Sequence, residues 1–521
     1  MENEDTGGGM ESEQLGRERL GSRTARAMVW VYASYIGGRA LTLVSTAILA
    51  RLLGPREFGL VALALIVTIA LETLKDLGLT QALIVATDEE TEEHAPTVFF
   101  VTVGIGFVLW GVTAAFAPLM AELFDEPRVT PILTALGFNF VLRALAATHG
   151  ALAAKSLDFR KRTFAEAGDV AVRGLVSIGL ALAGAGVWSI VVGYLVGTAT
   201  LAVVLWAMVS WRPRLELRFR GLSRMVRFGG SITGIDVTVA INRNIDLIAV
   251  GSVLGTASLG FYTLAYRLPE LLVLNFAVVG GYVLFPAFAT LDREALRAAY
   301  LVAFRYTVAL ALPLTVAMVV LANPIVLAVF GEKWVDAVGA MQLLALFALT
   351  IAIDIPAGTV YKSSGRADVL LKLAIPRALV VAGLMALYVE EGIATAALIQ
   401  FVVGVAFVAI QLYLTKRLLG AGFRVLAVAA APIALAAAAM GAAVAGLDYV
   451  IAGPWPSVVA ASAVGAFVYL GTLRVAAPDL IGGLIQRLRP TATTPVPPVT
   501  REGTAVAATA PVPPGTPEGA P

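Results

Sequence analysis

Ala50-Arg51-Leu52-Leu53-Gly54-Pro55-Arg56-Glu57-Phe58-Gly59-Leu60-Val61-Ala62-Leu63-Ala64 is a tight turn set between two long apolar runs, and the chain uses it twice. Roughly 200 residues later stands Gly251-Ser252-Val253-Leu254-Gly255-Thr256-Ala257-Ser258-Leu259-Gly260-Phe261-Tyr262-Thr263-Leu264-Ala265, which keeps Leu-Gly, the second glycine and Leu-Ala at the same spacing. In each copy the first glycine (Gly54, Gly255) suits the C-terminal end of the incoming helix. The second (Gly59, Gly260) lets the outgoing helix lie close to a neighbour. Further echoes follow: Pro118 to Glu126 is answered by Pro324 to Glu332, and Gly186 with Gly197 by Gly392 with Gly404.

The apolar runs around this turn decide the class. Of 521 residues, 59% are hydrophobic and 14% charged, and the mean hydropathy is +0.85. A soluble domain carries about a quarter charged residues, so the composition is that of an all-α polytopic membrane protein. Spans of the length that crosses about 30 Å of hydrocarbon are expected at 27–53, 57–84, 96–119, 129–153, 168–185, 187–210, 224–251, 257–288, 298–321, 337–361, 368–388, 391–415, 423–446 and 455–475, about fourteen in all. The repeat then pairs spans one to six with spans seven to twelve as two six-helix lobes (27–210 and 222–418). An even shift keeps both copies in the same sense, so the axis relating them runs along the membrane normal. Spans thirteen and fourteen (423–475) have no counterpart, and their Ala429–Ala431 and Ala436–Ala439 runs suit close helix packing. Residues 1–26 read as a polar cytoplasmic tail and 490–521 as a disordered Pro/Thr/Ala-rich tail.

Basic residues set the orientation. With the N-terminus in the cytoplasm, about 25 Lys and Arg fall inside against about four outside, which predicts both termini cytoplasmic and Arg56, Glu332 and Asp448 external. Asp88 to Glu93 reads as an inside loop that is acidic rather than basic. Cys is absent and His numbers two, so no Cys/His metal centre is available, and neither a cofactor nor a catalytic residue is expected.

Leu52-Leu53-Gly54-Pro55-Arg56-Glu57-Phe58-Gly59, Asp76-Leu77-Gly78-Leu79-Thr80-Gln81-Ala82-Leu83, Ser156-Leu157-Asp158-Phe159-Arg160, Gly186-Val187-Trp188, Asn244-Ile245-Asp246 and Phe330-Gly331-Glu332-Lys333-Trp334 occur in one order. Over about residues 27 to 420 the chain resembles the polysaccharide-transport (Wzx-type) branch of the multidrug/oligosaccharidyl-lipid/polysaccharide exporters. The resemblance implies a two-lobed alternating-access transporter of prenyl-linked oligosaccharide in the cytoplasmic membrane of a prokaryote. It also implies working beside polysaccharide polymerase and glycosyltransferase machinery, with an H+ or Na+ gradient as a candidate drive. Relatives in the same superfamily export cationic drugs.

Ionisable residues inside spans are costly and mark an interior cavity or a partner. Arg39 follows Gly37 and Gly38, which leave its guanidinium room, and an Arg fork can hold phosphate oxygens. Asp236, Arg243 and Asp246 share the seventh span, and Arg267 and Glu270 flank Pro269 in the eighth. These six are the candidate substrate-binding residues. Glu72, Lys75, Asp76, Arg143 and Asp354 are candidates for gating or helix pairing. A cationic cavity suits a pyrophosphate-linked glycan, an acidic one a cation exporter. A membrane polymerase or ligase would need a sizeable external loop, and the external loops here are short.

Overall fold

The computed structural model describes residues 37–72, 78–156, 158–218 and 222–480, with the backbone alone at 159 and 222–243. Among them lie seventeen α-helices: α1 (37–52), α2 (Pro55–Glu72), α3 (Leu79–Val85), α4 (Asp88–Leu123), α5 (Val129–Gly137), α6 (Asn139–Lys155), α7 (Phe159–Leu182), α8 (Trp188–Met208), α9 (Leu222–Pro269), α10 (Asn275–Ala289), α11 (Arg293–Val320), α12 (Ala322–Val329), α13 (Val338–Ser363), α14 (Ala367–Tyr388), α15 (Ile393–Leu419), α16 (Phe423–Val450) and α17 (Pro454–Ala476). A π-helical turn, Glu270–Leu274, joins α9 to α10, and the described residues contain no strand. Ten stretches among them are long and apolar enough to cross a membrane, so the protein is a multi-pass membrane protein.

Where the elements differ from the expected spans, local chemistry explains it. Asp88 to Glu93 is not a loop but the first turns of α4. Thr87 and Glu90 form a reciprocal capping box there, and Asp88, Glu89 and Glu90 lie at the positive end of the helix dipole. Lys155 completes this end, with Nζ 3.1 Å from Asp88 and 2.8 Å from the Ala86 carbonyl oxygen. The span at 129–153 is two helices, α5 and α6, that meet at Phe138. In the second copy of the turn, Gly255 breaks α9 with φ 80° and ψ −179°, a conformation that an L side chain rarely adopts. Gly54 does not take a left-handed cap; its N–H donates to Glu57 Oε2 at 2.9 Å.

The close packing expected of these motifs occurs at the second glycines, and there the two copies are each other's neighbour. A Cβ placed on Gly59 would stand 1.7 Å from the Thr256 carbonyl oxygen, and one on Gly260 would stand 1.9 Å from that of Pro55. The contact is reciprocal, because Pro55 and Gly59 hold the positions in the first copy that Thr256 and Gly260 hold in the second. Thus α2 crosses α9 backbone to backbone. Trp334, fully buried, closes the joint: its Nε1 donates to the Ala50 carbonyl at 2.9 Å, and its ring meets Phe58 and Phe261 edge-on at 5.2 and 5.8 Å. Arg51 donates to the carbonyls of Ala328 and Val329 at the end of α12.

Elsewhere α2 to α8 pack mainly among themselves, as do α9 to α15, with α3 making a further contact to α9 across the halves. The last two helices lie against α11 and α12. Ala436 and Ala437 are buried in that contact, as their small side chains allow, and Tyr469 donates to the Ala309 carbonyl at 2.6 Å.

Candidate functional site

Charged side chains inside the helix bundle form separate sets in the two halves. In the first half, Arg143 on α6 stands 3.2 Å from Glu72 at the end of α2 and also faces Tyr194 and Asp169. Arg173 grips Asp169 one turn away with two contacts, 2.7 and 2.8 Å, and its guanidinium lies 4.1 Å over the Tyr194 ring. The helices can bring these groups together because α8 offers glycines at the crossing. A Cβ on Gly197 would stand 2.4 Å from Asp169 Oδ1, and one on Gly193 would stand 1.9 Å from Ser177 Oγ.

In the second half, Asp246 is buried and accepts from Tyr262 Oη at 2.9 Å and from the Leu247 N–H at 3.0 Å, with Gln400 of α15 alongside. Asp354 on α13 faces Arg377 on α14. The Arg377 guanidinium sits 5.6 Å from the Phe347 ring, which stacks on Tyr266. Arg267 and Glu270 pair at 3.1 Å where Pro269 and the π-turn interrupt the helix.

Of the residues singled out from the sequence, Arg143 faces Glu72 and Asp354 faces Arg377, each within its own half. Arg39 is half-buried on α1, and among the described residues a Cβ at Gly37 or Gly38 would meet nothing within 4 Å. Lys75 and Asp76 lie outside the described residues, as do the side chains of Asp236 and Arg243. Sequence reasoning missed Asp169, Arg173, Tyr194 and Arg377. The signal for the first pair was present: Asp169 and Arg173 are spaced i, i+4, and Gly193 and Gly197 at the same spacing offer a small-residue face to them.

At the rim of the joint, Glu126 is 6% exposed and accepts from Arg56 (2.7 Å) and Arg128 (3.0 Å). Burial would push this carboxyl up, but the bonds from Arg128 and Arg56 outweigh it and hold it below the usual carboxylate value. A lowered native value means that the stabilisation is full above the unfolded value and is lost as pH falls through the native one. Glu126→Gln is therefore expected to cost about 1 kcal/mol at neutral pH, since both arginines are exposed enough to be screened. The gap from wild type should close below about pH 4. Thermal melts of the purified protein across that range check it; a gap that persists at low pH would assign the loss to packing.

A multi-pass chain, helical throughout its described secondary structure, whose two halves meet at the crossing of α2 and α9 and each hold ion pairs among their helices, has the architecture of a membrane carrier. The chain belongs to the polysaccharide biosynthesis protein family, whose model matches residues 48–339, within the Wzx-type transport branch of the multidrug/oligosaccharidyl-lipid/polysaccharide exporter superfamily. It is 27% identical over 382 residues to the lipopolysaccharide biosynthesis protein WzxC of Escherichia coli, covering 70% of this chain and 76% of that protein. It is 29% identical over 375 residues to the succinoglycan biosynthesis transport protein ExoT of Rhizobium meliloti, covering 70% and 74%. In fold it matches the lipid II flippase MurJ in an inward closed conformation, with TM-score 0.75 and 15% identity over 87% of this chain and all of that one. An inward-facing multidrug resistance transporter of the MATE family matches with TM-score 0.59 and 17% identity, over 75% of this chain and 98% of that one.

Proposed function

We propose that the protein carries a prenyl-pyrophosphate-linked oligosaccharide from the cytoplasmic to the outer leaflet by alternating access, using fourteen crossings with both termini cytoplasmic. Two six-helix lobes (27–210 and 222–418) rock about the crossing of α2 and α9, with spans thirteen and fourteen (423–475, α16 and α17) at the side. The reciprocal fit of the two glycine turns carries this reading, since a joint between equivalent parts of two repeats can open without unfolding either one. Family membership supports the cargo.

A pyrophosphate brings about two negative charges, and Arg, unlike Lys, stays charged and bidentate in a partly dehydrated passage. Arg39, Arg243 and Arg267 are assigned to hold it. Asp236, Asp246 and Glu270 balance them. Arg267 would exchange its Glu270 partner for phosphate oxygens during transit. Glu72, Lys75, Asp76, Arg143 and Asp354 are assigned to gating and helix pairing. Coupling to an H+ or Na+ gradient and delivery to a polymerase belong to the same proposal.

In a strain deleted for this gene and its paralogues, surface glycan should be lost and restored by the wild-type chain. Arg39→Ala and Arg267→Ala should each abolish restoration at normal protein abundance, and the Lys variants should recover only part. Normal glycan in the deletion would defeat the function, and normal glycan in the double alanine variant would defeat the site. Loss of resistance to cationic dyes in Glu270→Gln, with glycan intact, would point to the cation-exporter alternative instead.

A further inference from the structure

A second basic site lies away from the interior charges, at one end of the second half. Three separate loops converge there: the start of α11, the turn between α13 and α14, and the end of α15. Gly365 (φ 70°) and Gly420 (φ 73°) terminate α13 and α15 in the left-handed conformation, so each helix stops abruptly with arginine at its edge. Arg293, Arg366 and Arg417 line a cleft of about 490 Å³ whose remaining wall includes Val369, Leu414 and Leu418. No carboxylate lines it among the described residues. The acids nearest in sequence do not line it: Asp292 caps α11 by accepting from the Ala295 N–H at 2.8 Å, Asp368 pairs with Lys372 at 2.8 Å, and Glu294 is exposed in the first turn of α11.

The guanidinia are held but not neutralised. Arg293 donates to the Leu418 carbonyl at 3.0 Å. Arg417 donates to Tyr413 Oη at 2.7 Å, with its guanidinium 4.8 Å from that ring. Neither contact supplies a negative charge, and with Arg366 on the same wall three arginines surround one concave space. Three cations beside an apolar wall at the end of a membrane helix bundle match a ligand with a phosphate head and a hydrocarbon tail.

We propose that this cleft binds the phosphate of an anionic lipid in the cytoplasmic leaflet. The assignment to that leaflet rests on the orientation proposed above; the binding itself does not. Two lipids share the chemistry, a glycerophospholipid of the bilayer and the prenyl-linked cargo before it enters the passage. Free phosphate has the head without the tail and should not be retained.

The test is lipid retention by the purified full-length chain in native mass spectrometry. Phosphatidylglycerol, phosphatidylcholine, a polyprenyl phosphate and inorganic phosphate are offered separately and then in competition. The wild type should retain phosphatidylglycerol and polyprenyl phosphate, with phosphatidylcholine about tenfold weaker. Arg366→Gln/Arg417→Gln should lower retention of both anionic lipids by about tenfold for each arginine removed, and Arg→Lys at both should recover part. Displacement of one anionic lipid by the other would show that both use this cleft, and preference for polyprenyl phosphate would identify cargo as its source. Both substituted side chains are exposed, so folding should survive, and size-exclusion profiles check that. Equal retention of phosphatidylglycerol and phosphatidylcholine would overturn the proposal. So would unchanged retention by the folded double variant, or displacement by inorganic phosphate at equal concentration. No transport is needed for this measurement, so a failed glycan assay would count only against the transport proposal.

Discussion

Gly59→Ala and Gly260→Ala are expected to open the joint between the halves and to remove most transport while leaving each half folded. The added methyl at either position would fall within 2 Å of a main-chain carbonyl oxygen, 1.7 Å from Thr256 and 1.9 Å from Pro55, and no rotamer change moves a carbonyl. The helices must separate, and with them go the Trp334 bond to Ala50 and the Arg51 bonds to the end of α12. Overpacking of this kind costs about 1–3 kcal/mol, enough to shift a two-state equilibrium by roughly fivefold to more than a hundredfold.

A chain without natural cysteines makes the test direct. Arg51→Cys and Val329→Cys flank the joint, and a short bifunctional thiol reagent that cannot cross membranes should link them from outside the cell. The linked protein should stop exporting glycan. Adding Gly59→Ala should cut the yield of the link by the same roughly fivefold or more. An undiminished yield would show that the crossing tolerates a methyl group, and a link formed only by a membrane-permeant reagent would place the joint on the cytoplasmic side.

The repeated turn was legible in the sequence because its two copies stand 201 residues apart, as Gly54 and Gly255 show. What the spacing did not reveal was that the copies touch each other, since a repeated motif fits two separate hairpins equally well. Gly54 and Gly255 diverge for a local reason: Glu57 can cap the first turn, and its counterpart Ser258 is too short to do the same. The acidic stretch at Asp88 was misread because charge alone suggests a loop. The Thr87 capping box, with acids at a helix start and Lys155 across from them, makes it helical. Arg377 was overlooked because it follows Pro376 inside an apolar run, and only tertiary packing puts Asp354 and the Phe347 ring beside it.

Asp169 and Arg173 separate a structural pair from a substrate contact by an asymmetry of charge. The set Glu72, Arg143, Asp169 and Arg173 is balanced, two of each sign. Asp169→Asn leaves two guanidinia facing one carboxylate, with Arg143 and Arg173 both near Tyr194. Arg173→Gln leaves one cation, Arg143, between two carboxylates that both attract it. Removing one partner of a buried pair typically costs about 3–5 kcal/mol, and partial exposure of Arg173 brings the cost of Asp169→Asn below that range, still enough to lower membrane abundance clearly. Arg173→Gln should cost less, because Asp169 still faces Arg143. The double variant should regain abundance above Asp169→Asn alone, since one cation then faces one anion and the amides can bond to each other across the same turn. If the pair serves only to lock α7 against α8, glycan export should recover in step with abundance. If Arg173 instead touches cargo, abundance should recover in the double variant while export does not. Equal losses in both single variants would refute the balanced-set account altogether.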